Sequence, residues 1–164
     1  PPKPGKPLSL VSTSARVAVD DPLAKLKSAN KLGSILAKRE ATAQGADDGF
    51  ILNSDGNVTE ASSANLFWVE DGTLRTPPVS DAVLPGITRR LVIGLASTLG
   101  QAVREESVAS DRLQRAEAVF VTSAATGIVA VGQVDGAALG EHPLVCQLQD
   151  AYDAEFARHA TAGD

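Results

Sequence analysis

The sequence predicts an α+β domain of antiparallel hairpins with flanking helices, on three observations. Short β-prone runs are separated by Ser54-Asp55-Gly56, Asp71-Gly72 and Asp135-Gly136, which have the chemistry of tight hairpin turns. Apolar residues recur at helical spacing around Leu32, Ile35 and Leu36, from Ile87 to Leu99, and from Leu144 to Phe156. A chain of 164 residues with 43% hydrophobic content can bury roughly 70% of its unfolded surface, so it needs neither disulfides nor a structural metal to hold a core.

The elements follow in order. Four of the nine prolines fall in the first seven residues, so residues 1–20 are read as a linker and lead-in strand, with 8–19 extended. Residues 21–160 form the domain and 161–164 a tail. Asp21 and Pro22 open a turn, and a helix at 29–44 is expected to bury Leu32, Ile35 and Leu36 before Gly45 stops it. The runs 50–52, 57–60, 65–70 and 73–75 read as an antiparallel meander. After a loop, a helix at 87–99 carries Ile87, Leu91, Leu95 and Leu99 at spacing four, and Gly100 ends it. A strand at 101–105, a short helix capped at Ser110-Asp111, and strands at 118–122 and 128–134 come next. The chain closes with an amphipathic helix striped by Leu144, Leu148, Tyr152 and Phe156. The pattern is one of hairpins, not of βαβ alternation.

Composition excludes several function classes. Fifteen Lys and Arg against twenty Asp and Glu give a net charge of −5, and no basic run is interleaved with aromatics, so nucleic acid is not an expected partner. Apolar runs are too short to span a membrane, and a cytoplasmic setting is expected. The single cysteine, Cys146, and the separated His142 and His159 offer neither a disulfide nor metal-ligand spacing. The histidines have no motif linking them to Ser34 or Cys146, so a hydrolase triad has no support. Asp47 and Asp48 read as a solvated turn, and Asn57-Val58-Thr59 as an incidental match to a glycosylation acceptor. The chain has no methionine and opens Pro1-Pro2-Lys3-Pro4-Gly5-Lys6-Pro7, which suggests a piece of a longer protein.

More specific chemistry lies in an ordered set of short motifs. Leu26-Lys27-Ser28-Ala29-Asn30 comes first, then Gly56-Asn57-Val58-Thr59-Glu60 with Ser62-Ser63-Ala64-Asn65-Leu66-Phe67-Trp68. Leu84-Pro85-Gly86-Ile87-Thr88-Arg89, Arg104-Glu105, Ala118-Val119-Phe120-Val121-Thr122-Ser123 and Val134-Asp135-Gly136 follow. Together they resemble the large C-terminal domain of the class IV aminotransferases, the fold-type IV pyridoxal-phosphate enzymes. That group includes branched-chain and D-amino-acid aminotransferases and 4-amino-4-deoxychorismate lyase. The resemblance covers about residues 22–158 and implies a pseudo-barrel of hairpins with flanking helices.

It also implies roles. A pyridoxal-phosphate enzyme needs an amine to hold the cofactor covalently and then move a proton, and the resemblance gives this to Lys27. Read alone, Lys27 is a solvated lysine between Lys25 and Lys31. An acid must sit beside the pyridine nitrogen, and Glu60 occupies that position, followed by Ala61, Ser62, Ser63 and Ala64, small enough for a flat ring to approach. Gly86, Ile87 and Thr88 open a helix whose free N–H groups suit a phosphate, with the Thr88 hydroxyl as a further donor. Leu84 would pack on the ring, and the turn at Ser123 and Ala124 would add phosphate contacts, Ala124 through its backbone alone where many relatives carry threonine. Substrates would be an amino acid and a 2-oxo acid, and the expected assembly is a homodimer.

Two departures shape the alternatives. Lys31 follows Asn30 where aminotransferases usually have tyrosine, which with Asn65-Leu66-Phe67-Trp68 is similar to the aminodeoxychorismate lyases. The runs 84–89 and 122–127 side with an aminotransferase. The family's smaller N-terminal domain, which gives an arginine to the phosphate, is not in this sequence, so it is expected in cis or as a partner chain. A non-catalytic binding module with an incomplete cofactor site is the reading from another class.

Overall fold

Leu66, Phe67, Trp68 and Val69 are all fully buried, a continuous apolar run instead of an alternating one, because their strand is covered on both faces. This strand, β4 (Asn65–Glu70), lies in a mixed sheet of the computed structural model, which describes residues 6–161 and side chains through Arg158. The remaining strands are β1 (Leu8–Val17), β2 (Asp48–Asn53), β3 (Val58–Ala61), β5 (Thr73–Thr76), β6 (Val103–Glu105), β7 (Ala118–Ser123), β8 (Gly127–Val134) and β9 (Ala137–Ala138). The helices are α1 (Leu32–Ala43), α2 (Ile87–Thr98), α3 (Ser110–Leu113) and α4 (Pro143–Thr161).

The hydrogen-bonded order is β3-β2-β1-β8-β7-β4-β5-β6, with β9 paired to β8. Although β3 ends this order, it touches β4, so the sheet curls into a half-barrel. The period of two then sorts side chains into two cores. Leu66, Trp68, Val119 and Val121 join Leu10, Phe50 and Val58 on the inner side. Phe67, Val69, Ala118 and Phe120 face α2 and α4, meeting Val92, Ala96, Leu144, Leu148 and Tyr152. Phe67 and Phe120 stack with centroids 5.0 Å apart across the β4–β7 ladder.

The α+β class with hairpins and flanking helices is borne out, but the sheet is not a simple meander. β2–β3, β4–β5, β4–β7, β7–β8 and β8–β9 are antiparallel, whereas β1 runs parallel to both β2 and β8, and β5 parallel to β6. The β1-α1-β2 and β5-α2-β6 segments are therefore crossover units that the hairpin reading did not anticipate. The turns at Asp71-Gly72 and Asp135-Gly136 hold both residues at positive φ and close two-residue hairpins, as expected. β1 is an internal strand. Residues 1–5 of the expected linker and 162–164 of the expected tail lie outside the described residues.

Helix faces are where expectation and structure part. α1 starts at Leu32, not at 29: Asp21 Oδ1 accepts the Leu23 N–H at 2.8 Å to close a separate turn, and Lys31 is the N-cap. Its stripe points outward, with Leu32, Ile35 and Leu36 exposed and Ala37 and Ala41 buried. The reason is close packing, since a Cβ on Gly49 of β2 would lie 2.9 Å from the Ala37 carbonyl oxygen and 3.2 Å from Ala41 Cβ. Only small residues let α1 approach so closely. In α2 the buried row is Thr88, Val92 and Ala96, with Arg89, while Ile87 is 74% exposed and Leu91 and Leu95 are only partly buried. Ser110 is the first residue of α3, and Ala109 is its N-cap. α4 buries Leu144, Leu148 and Tyr152 but exposes Phe156. Among the described residues no helix is long and apolar enough to cross a membrane.

The Gly49 contact yields a paired stability prediction. Gly49→Ala should cost about 1–3 kcal/mol, because Thr13 Cγ2 and the Ala37 carbonyl must give way. Gly94→Ala, in the middle of α2 with open space around the new methyl, should stabilise by roughly 0.5–1 kcal/mol. Urea unfolding midpoints of the two variants check both signs.

Candidate active site

One end of the half-barrel gathers most of the residues singled out from the sequence. The chain leaves β3 at Ala61, whose N–H donates to the Ala64 carbonyl at 2.9 Å, so a tight turn places Asn65, the first residue of β4, beside Glu60. This turn is fastened to β2, as the Ser62 N–H donates to the Gly49 carbonyl at 2.9 Å and Ser62 Oγ to Asp48 Oδ1 at 2.6 Å. Asn65 Nδ2 then donates to Glu60 Oε2 at 2.9 Å and to the Leu84 carbonyl at 2.8 Å. The Leu84 N–H donates back to Glu60 Oε2 at 3.2 Å. Glu60, Asn65 and Leu84 thus close a three-membered polar ring, which joins the β3–β4 turn to the segment leading into α2.

α2 begins just beyond. Its N-cap, Gly86, is extended and supplies no side-chain cap, and the Arg90 N–H is the first to bond back to the Gly86 carbonyl, at 3.0 Å. The N–H groups of Ile87 and Thr88 precede the first intrahelical bond, and with the positive dipole end they can receive an anion. Thr88 is buried and Leu84 half-buried. Arg89, also buried, donates from Nη2 to the Pro77 carbonyl at 3.0 Å and to Glu105 Oε2 at 2.7 Å, anchoring the helix start to β6.

The electrostatics centre on Glu60. Burial pushes its carboxyl up to about 7, against the opposing pull of the Leu84 N–H and the charges of Lys27 and Arg89. Lys27 lies in the irregular segment between β1 and α1, exposed, and its charge reaches Glu60. Glu60, Leu84, Gly86, Ile87 and Thr88 come together, with Lys27 within electrostatic reach.

The β7–β8 turn opens at the same end, because Asn65 pairs with Thr122 in the β4–β7 ladder. Ser123 Oγ is 2.8 Å from Thr126 Oγ1 and accepts the Thr126 N–H at 3.2 Å, so its hydroxyl is engaged within its own turn. Ala124 is exposed. Sequence reasoning gave no role to Asn65, Arg89 or Thr122, although all three fell within the motifs. Asn65 could have been noticed as an amide heading a wholly apolar run. Thr122 Oγ1 is buried with no hydrogen-bond partner, which only the structure reveals.

Solved structures share this fold. Superposition on the branched-chain amino acid aminotransferase from Thermobaculum terrenum in its PLP form gives a TM-score of 0.87 at 29% identity, covering 92% of this chain and 51% of that one. A candidate 4-amino-4-deoxychorismate lyase from Legionella pneumophila gives 0.88 at 37% identity, covering 92% and 56%. The fold is therefore that of the fold-type IV pyridoxal-phosphate enzymes. The chain belongs to the class IV aminotransferase family, whose model matches residues 1–134. It is 38% identical over 152 residues to the branched-chain-amino-acid aminotransferase of Salmonella typhimurium, covering 90% of this chain and 49% of that protein. The chain spans about half the length of the curated relatives it matches.

The raised Glu60 carboxyl makes stability pH-dependent. Between the ordinary carboxyl value of 4.5 and about 7, the unfolded chain has lost this proton while the folded chain still binds it. Raising pH through that window therefore disfavours the fold, and the cost is complete above it. Glu60→Gln keeps an acceptor for the Asn65 amide and the Leu84 N–H but cannot ionise. In the cofactor-free chain it should match the parent at pH 4 and exceed it by about 1–3 kcal/mol at pH 8, measured by urea unfolding.

Proposed function

We propose that this chain is the cofactor-bearing part of a pyridoxal-phosphate-dependent aminotransferase, moving an amino group between an amino acid and a 2-oxo acid. The observation that carries this reading is the largely desolvated Glu60 carboxyl, which accepts the Leu84 N–H just ahead of α2 and feels the charge of Lys27. The residues present suit the cofactor. A buried carboxyl near neutrality suits a ring nitrogen that must keep a proton, the uncapped α2 terminus suits a phosphate, and the unpartnered Thr122 hydroxyl leaves a further donor at the same end.

When bound, pyridoxal phosphate supplies an electron sink for the substrate amine. The chain supplies the rest. Lys27 Nζ is the covalent anchor and afterwards the base and acid that moves a proton at the substrate α-carbon. Glu60 holds a proton at the ring nitrogen. The Ile87 and Thr88 N–H groups and the Thr88 hydroxyl bind phosphate, Gly86 leaves the approach open, and Leu84 packs against the ring. The Ser123 and Ala124 backbone completes the anion contacts, the Ser123 hydroxyl being committed to Thr126.

Exposed Leu23, Leu26, Leu32, Ile35 and Leu36 lie on the segment that carries Lys27 and on α1. This apolar surface supports a body covering that side, which we assign to a second copy in a homodimer and to the other half of the enzyme, in cis or as a partner chain. The free Cys146 is compatible with a cytoplasmic setting.

A lyase reading, elimination of pyruvate from aminodeoxychorismate by the same lysine, is favoured by Lys31 at the α1 N-cap and by the likeness to the Legionella pneumophila protein. Incubation with an amino acid separates the two, since only an aminotransferase converts the cofactor stoichiometrically to its pyridoxamine form.

Borohydride reduction of the chain with pyridoxal phosphate, followed by peptide mapping, should fix the pyridoxyl group on Lys27. Lys27→Ala should lower turnover of the assembled enzyme at least ~1000-fold. Labelling of another lysine, or none with a flat visible spectrum, contradicts the assignment, and the latter favours a non-catalytic binding module.

A further inference from the structure

The polar ring around Glu60 contains one residue to which the proposed chemistry gives no part. Asn65 is 5% exposed and spends both amide protons on two groups from different parts of the chain, Glu60 Oε2 at 2.9 Å and the Leu84 carbonyl at 2.8 Å. No other uncharged side chain of this size offers two donors from one nitrogen at this reach. Aspartate would set a second carboxylate against the first, and leucine would fill the volume but donate nothing. Gly86 is adapted to the same contact. Its φ of −65° and ψ of 144° are open to any residue, so the backbone does not require glycine. The space does, because a Cβ there would lie 2.1 Å from Asn65 Oδ1.

We propose that Asn65 is a positioning residue: its amide locks the Glu60 carboxyl to the Leu84–Gly86 turn, so that the group meeting the ring nitrogen and the helix end meeting the phosphate keep a fixed spacing. The proposal rests on the cofactor reading above and adds a residue to it. Asn65 touches neither the reacting atoms nor Lys27 in this account; it acts through Glu60 and Gly86. Loss of its donor removes a hydrogen bond from the ionised form of Glu60, which raises the pH at which that group titrates. It also frees the Leu84–Gly86 turn, which loosens the grip on pyridoxal phosphate.

The test is carried out on the full chain with two variants. Carbon-13 NMR of the Glu60 carboxyl, followed from pH 4 to 9 without cofactor, should show the midpoint rising by about one pH unit in Asn65→Leu. Gly86→Ala, which adds a methyl against Asn65 without touching Glu60, should give the same upward direction. Pyridoxal phosphate affinity, read by absorbance, should fall about tenfold or more in both. Asn65→Ser replaces the leucine variant if that chain does not fold, with the same upward shift expected. Midpoints unchanged in folded variants overturn the proposal, as does an unchanged cofactor affinity. If the parent chain takes no pyridoxyl label at Lys27 while the midpoints still shift, the cofactor reading fails and the Asn65 lock to Glu60 stands.

Discussion

A carboxyl group placed in a largely buried position, with too few partners to stay fully ionised, is the constraint around which this end of the molecule is organised. Glu60 receives one backbone N–H and one amide N–H, and the charges of Lys27 and Arg89 only partly offset its burial. Each support comes from a different element. Asn65 depends on the turn after β3, Leu84 on the loop before α2, and Arg89 on anchorage to Glu105 of β6. The two crossovers and the curl of the sheet bring these elements to one place.

β4 has polar anchors at both ends and apolar residues between them. At its far end, Glu70 accepts Arg112 Nε at 2.8 Å, Arg75 Nη1 donates to Glu106 Oε1 at 2.7 Å, and Arg112 reaches the same Glu106 at 2.7 Å. Arg75 is buried, so its ion pairs must first offset the cost of desolvating the guanidinium. Between the two ends, Leu66 to Val69 bury their side chains into both cores, so the strand cannot slip by one residue without reversing every side chain. The position of Asn65, and with it that of Glu60, is set by the hydrophobic register of the whole sheet.

Much of this was legible in the sequence because local chemistry dictated it. Asp71-Gly72 and Asp135-Gly136 closed the hairpins as their residue types demand, whereas Lys27, Glu60 and Gly86 were singled out through the resemblance of their motifs to the class IV aminotransferases, and the structure brings them together or within electrostatic reach. The faces of α1 and α2 were not legible. Their buried rows are chosen by how closely each helix approaches the sheet, so Ala37 and Ala41 displace the larger Leu32, Ile35 and Leu36 from the core. The parallel pairing of β1 with β2 and β8 was also hidden, since it joins segments distant in sequence and leaves no turn signature. Asn65 and Thr122 are significant only through groups far away in the chain.

The proposed chemical purpose of the Glu60 carboxyl is to keep a proton on the ring nitrogen of bound pyridoxal phosphate. Nitrogen-15 NMR of the ring nitrogen, with labelled cofactor fixed on the chain, reports that proton directly. The parent should give the chemical shift of a protonated ring, and Glu60→Gln that of an unprotonated ring at the same pH. The same shift in both would contradict this role.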